Sequence, residues 1–172
     1  MPVIDRHIRI GASPWRVWDV LVDIPGQPRW MRDLVEIELV DSQPFRQGSR
    51  AVGTIQMFGL RQRDPIVVTA FEPPSRYAME HQGAFSGGGT FELRPLDGGR
   101  ATHVHWREEL RGSATALPLG ERMVELPLVG GLVRRAGDLI LLMVDPLLWP
   151  VLAWVFRADL RRLKQLVEDG TG

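Results

Sequence analysis

Cysteine is missing from this 172-residue chain. Its absence removes disulfides and thiolate metal sites together, and it fits a reducing cytosol. A surplus of either charge is missing too: Lys plus Arg number 21 and Asp plus Glu number 21. A protein that grips nucleic acid needs a basic excess, so no nucleic-acid partner is expected. The start, Met1-Pro2-Val3-Ile4-Asp5-Arg6-His7, puts charges where a secretory signal needs an apolar run. A cytoplasmic protein is therefore expected. Internal repeats and low-complexity tracts do not occur.

Hydrophobic residues make up 44% and charged residues 24%. A chain of this length buries roughly 70% of its unfolded surface when it folds, enough for one core without staples. One domain over residues 1–172 is expected.

Val3 to Ile10 reads as a first strand, with Ile4, Arg6, Ile8 and Ile10 on one parity. Ser13-Pro14 is a helix start: serine caps free amides and proline suits the first helical position. Val17, Trp18, Leu21 and Ile24 recur at helical spacing, and Pro25 and Pro28 end that helix before Trp30 and Met31. Six strand-like stretches follow. Val35, Ile37 and Leu39 alternate with Glu36, Glu38 and Val40. Ala51 to Phe58 and Arg61 to Phe71 flank a turn at Gly59, and Glu72-Pro73-Pro74 ends the second of these. Tyr77, Met79 and His81 share a parity, as do Phe85, Gly87, Gly89, Phe91 and Leu93. Asp97-Gly98-Gly99 signals a hairpin, and Thr102, Val104, Trp106, Glu108 and Leu110 share the parity that follows it. Residues 112–144 mix Gly and Pro with apolar residues and read as a lid or linker. Asp145-Pro146 reads as a second helix start. The helix running from there to Glu168 has 23 residues, about 34 Å, with Pro150 in its second turn.

This order of elements resembles the START-like (SRPBCC) superfamily, and within it the polyketide cyclase/dehydrase-type family. The resemblance rests on Ala12-Ser13-Pro14 through Trp18-Asp19-Val20-Leu21, on Trp30, on Glu72-Pro73-Pro74-Ser75-Arg76, on Gly98 to Trp106, and on Leu160 to Glu168. It spans residues 3–111 and 146–168. The 112–144 segment departs from it, being longer and more apolar than the usual link to the last helix. The resemblance implies an α+β helix-grip fold, a seven-stranded curved antiparallel sheet wrapped around a long C-terminal helix. One helix cannot fill the concave side of such a sheet. An apolar cavity of ~300–1,000 Å³ is the implied consequence, with a small hydrophobic molecule (a lipid, a polyketide or an aromatic metabolite) as the implied partner. The alternative is a polyketide cyclase or dehydratase that folds its substrate in the same cavity. No cofactor is implied.

Trp30, Met57, Met79, His81, Phe91, Trp106, Met143, Trp149 and Leu152 are the candidate ligand-binding residues; for the apolar ones, plain core packing is the competing role. His81 and Glu108 are the candidate catalytic residues. An inward His81 could orient a carbonyl or hydroxyl, and a desolvated Glu108 could act as a base; strand ends lying in solvent are the alternative for both. His103 and His105 share a strand face, but opposite to Val104 and Trp106, so they are expected on the solvent side. No Asp, Glu or Cys is placed by sequence alone to complete a metal set around them, and no metal site is expected. Ser86-Gly87-Gly88-Gly89-Thr90 lacks the lysine and the following helix of a phosphate loop, and reads as a bend or close approach of the backbone.

Leu139 to Phe156 spans 18 residues with one charge, Asp145. A membrane span is opposed by Pro146, by Pro150 and by the roughly 2.5–3.5 kcal/mol cost of a central Asp. A kink at Asp145-Pro146 between two buried pieces is expected instead. The apolar surface of the last helix needs a cover. Residues 129–144 folding back over it, a homodimer contact or a peripheral membrane contact through residues 139–156 are the three candidates.

Overall fold

The computed structural model describes residues 3–41, 44–57, 60–83, 85–112 and 130–170. Strand β1 (Val3–Ile10) is followed by helix α1 (Pro14–Leu21) and a 3-10 turn at Ile24–Arg29. Six strands come next: β2 (Leu34–Leu39), β3 (Arg50–Met57), β4 (Leu60–Glu72), β5 (Arg76–Gln82), β6 (Phe85–Leu96) and β7 (Ala101–Gly112). Helix α2 (Gly130–Asp169) ends the chain. The seven strands form one sheet in the order β1-β7-β6-β5-β4-β3-β2, antiparallel throughout. Strands β3 to β7 follow one another through links of two to four residues, residues 40–49 join β2 to β3, and β1 closes the far edge against β7.

The local signals explain most of this. The Ser13 hydroxyl accepts from the Arg16 amide, and Pro14 occupies the first helical position. Val17, Trp18 and Leu21 are buried. Asp97, Gly98 and Gly99 take positive φ of 52°, 67° and 89°, which glycine adopts without steric cost. Along α2, Phe156, Leu160, Leu163 and Val167 are buried, at spacings of four, three and four that place them on one stripe. The C-terminal end of α2 is tied to the end of β1. The Gly11 amide donates to Glu168 Oε1 at 2.6 Å, and Lys164 Nζ donates to the Arg9 carbonyl at 3.0 Å.

Three expectations change. In β2 the register shifts between Leu34 and Glu36, and this bulge breaks the two-residue alternation. Leu34 and Ile37 therefore face the core, while Val35 and Leu39 are exposed. The last helix does not begin at Asp145-Pro146: α2 is 40 residues long, about 60 Å at ~1.5 Å per residue. Each interior proline removes one backbone bond, yet the helix continues through both. Residues 130–144 consequently extend α2 and do not fold back over it. Residues 113–129 of the expected lid, and the Phe58-Gly59 turn, lie outside the described residues. Among the described residues, no helix is long and apolar enough to cross a membrane.

Leu163 is fully buried. Replacing it with alanine removes its contacts with the core and leaves a cavity. Leu163→Ala is expected to lower unfolding stability by about 2–5 kcal/mol, read from urea denaturation. A change below about 0.5 kcal/mol would contradict this packing.

Candidate functional site

The glycines of β6 create the site. His81 on β5 pairs with Gly87, and Glu108 on β7 pairs with Gly89. Strands two apart are separated by about 10 Å, so side chains on β5 and β7 meet only if the strand between them offers no bulk. Gly87 and Gly89 leave that trough. A Cβ on Gly89 would stand 2.3 Å from Glu108 Oε2. Across the trough His81 Nε2 lies 2.8 Å from Glu108 Oε1. On its other side His81 Nδ1 lies 2.5 Å from Asp64 Oδ2 of β4. The second Glu108 oxygen accepts from the Trp106 indole N–H at 2.9 Å. Asp64 and Glu108 are buried and His81 is 13% exposed.

The electrostatics follow from this clamp. Burial alone would lower the His81 pKa. The hydrogen bonds to Asp64 and Glu108, with the charges of both carboxyl groups, outweigh burial and raise it to about 10. At neutral pH His81 is therefore an imidazolium and cannot serve as a general base. Two further acids stand nearby. Asp33, after the 3-10 turn, has its pKa raised by burial and by the charge of Glu108. Asp159 on α2 is pushed up to about 7, first by burial and then by the charge of Asp33, against the bond from the Arg32 amide and the charges of Arg32 and Arg162. That amide donates to Asp159 Oδ1 at 3.1 Å, while Arg32's guanidinium lies 5.1 Å from the centre of the Trp154 ring.

Beside the charged cluster the sheet carries an aromatic floor. Trp30, Tyr77, Phe91 and Trp106 are each at most 1% exposed. Phe91 stacks on Trp106 at 4.7 Å, Trp106 lies 4.3 Å from Phe156 of α2, and Trp30 meets both Phe91 and Trp106 edge-on. Among the sequence-predicted residues, Trp30, Phe91 and Trp106 come together here. Met79 is buried on the same sheet face, and Leu152 packs half-buried against the core. Met57 ends β3 and Met143 and Trp149 lie in α2, but their side chains fall outside the described residues. A groove of about 720 Å³ opens between β1 and α2, bordered by Arg6, Ile8, Ala153, Trp154, Arg157 and Leu160 among others. Trp30, Met79, Phe91, Trp106 and Leu152 do not border it.

Comparison with known proteins places this arrangement. The family model described as polyketide cyclase / dehydrase and lipid transport matches residues 1–168. The chain belongs to that family. An uncharacterized protein of Mycobacterium tuberculosis is 30% identical over 124 residues, covering 70% of this chain and 84% of the relative. Solved structures share the fold. A Thermus thermophilus protein superposes with a TM-score of 0.71 at 18% identity, over 99% of this chain and all 100% of its own. The Zhui aromatase/cyclase of a Streptomyces species gives 0.68 at 15% identity, over 99% and 96%. A START superfamily protein of Mycobacterium smegmatis gives 0.56 at 15%, over 91% and 97%. The seven-stranded antiparallel sheet with its C-terminal helix is thus the START-like helix-grip fold.

In this family member, sequence reasoning found His81 and Glu108 but missed Asp64, Asp33 and Asp159. Asp64 shares the parity of the buried Ile66 and Val68, so alternation pointed to it. Asp159 lies three residues after Phe156 and four before Leu163, within the core stripe of α2. The outer face of the sheet adds a group that local reading did not assemble. His103 and His105 do face outward, but the β1–β7 register sets His7 opposite His105. Asp5, two residues before His7 on the same face, joins them, and Asp5, His7 and His105 form a group able to hold an ion. Only the pairing of distant strands brings these residues together.

The clamp makes a prediction for His81. A folded-state pKa above the unfolded value stabilises the fold fully below about 6.5, and that contribution is lost as pH rises through about 10. Nitrogen-15 NMR should show His81 as an imidazolium from pH 6 to about 9. Titration of His81 near 6.5 would contradict the clamp.

Proposed function

We propose that this protein binds a small, mainly apolar molecule bearing hydroxyl or carbonyl groups, a polyketide-like or aromatic metabolite or a lipid. Its body and its polar end would be taken up where α2 parts from the sheet, because the aromatic floor and the His81 cluster are covered in this structure and do not border the groove. The observation that carries this reading is the meeting of the two surfaces at Trp106, which stacks on Phe91 and donates to Glu108. Two buried polar atoms support it. Asp64 Oδ1 and the Trp30 indole N–H have no hydrogen-bond partner among the described residues. Unmet buried polar groups are costly, and a ligand hydroxyl and carbonyl would satisfy them in turn. Family membership points the same way.

A second reading, turnover of the cyclase or dehydratase type, is favoured by Asp159. Its raised pKa of about 7 suits proton transfer at neutral pH, and Asp33 stands close enough to perturb it. In this reading His81 supplies fixed positive charge and Asp159 moves the proton.

Native mass spectrometry of freshly purified protein tests both. Carriage predicts a bound small molecule released unchanged on denaturation. Turnover predicts that a bound hydroxylated polyketide loses one water during incubation, and that Asp159→Asn stops the loss while binding persists. Recovery of the bare chain alone, with no thermal shift from aromatic polyketides or fatty acids, would overturn both readings.

A further inference from the structure

Three of the four histidines stand together on the outer face of the β1–β7 pair, away from the interior site. The His7 ring stacks on His105 at 4.3 Å and on His103 at 5.2 Å. His7 Nε2 and His105 Nε2 both converge on Asp5 Oδ1, at 2.9 and 3.0 Å. The strands set up this convergence. Asp5 and His7 alternate onto one face of β1, and the register puts His105 across from His7.

We propose that Asp5, His7 and His105 bind one divalent transition-metal ion of the zinc, cobalt or nickel class. Two imidazoles and a carboxylate are the donor types such ions prefer. Tetrahedral bonds of about 2.1 Å place neighbouring donor atoms about 3.4 Å apart, so the two Asp5 separations of 2.9 and 3.0 Å would widen by a few tenths of an ångström on binding. All three ligand atoms fall within 4.8 Å of one another, so one ion can reach them together. On binding, the two Nε2 atoms give up any proton they share with Asp5 and donate lone pairs to the metal. Three protein ligands leave the solvent side open for water or an exchangeable anion. His105 Nδ1 lies 3.8 Å from Glu92 on β6, placed to hold the ring's orientation once it closes to hydrogen-bond distance.

His81 gives the internal contrast. Its two nitrogens face carboxyl groups on opposite sides, so no single ion can replace both bonds. Among the described residues, the Asp5 group is where three such ligand atoms converge. An ion there would link β1 to β7.

The test uses untagged, chelator-stripped full-length protein titrated with Zn²⁺ by calorimetry and with Co²⁺ by visible absorption. The expected result is one ion per chain and a rise in melting temperature. His7→Ala and His105→Ala should each weaken binding by more than about a hundredfold, beyond the roughly 10–100-fold that loss of a supporting group costs. Asp5→Asn should weaken it as well, and His103→Ala should leave it nearly unchanged. Asp5 and His7 are exposed, and circular dichroism of each variant checks that the fold persists. Absence of stoichiometric binding would overturn the proposal. So would binding that survives His7→Ala and His105→Ala but is lost in His103→Ala or His81→Ala.

Discussion

An imidazolium buried between two carboxyl groups holds three strands of this sheet in one arrangement. Asp64 belongs to β4, His81 to β5 and Glu108 to β7. Removing such groups from water costs several kcal/mol per ion, and only close pairing with further hydrogen bonds offsets that cost. The offset depends on geometry that a single methyl group would spoil. Gly89 must lack a Cβ for Glu108 to sit where it does, and Trp106 must offer its indole N–H to the remaining oxygen. The glycine run is therefore part of the site. It brings β5 and β7 into side-chain contact over β6.

The same strand serves two environments. Along β7, Val104, Trp106 and Glu108 point inward to the aromatic floor and the ion cluster, while His103 and His105 point out. A two-residue period is enough to keep these chemistries apart. The interior set combines apolar surface with fixed charge and with acids whose ionisation is disfavoured by burial. That combination is the ground for proposing a ligand with a greasy body and oxygen-bearing groups.

Much of the architecture was legible in local patterns. Alternation placed β3 to β7 and Ser13-Pro14 placed α1, while parity left His81 and Glu108 open between the interior and a strand end in solvent. The failures have physical causes. A bulge in β2 shifted Val35 and Leu39 to the surface, which no alternation rule anticipates. Pro146 and Pro150 looked like breaks, yet α2 runs through both. Asp159 and Asp64 were readable from periodicity, but acids are seldom placed in a core without a partner to justify them. The Asp5, His7 and His105 group was beyond local reading, because it exists only once residues about a hundred positions apart are paired.

The central claim is that His81 carries a positive charge on which two buried carboxyl groups depend. Urea unfolding of His81→Gln at neutral pH tests it most directly. The account predicts a loss of about 3–5 kcal/mol, the cost of leaving buried charge without its partner. A variant within about 0.5 kcal/mol of the parent protein would contradict it.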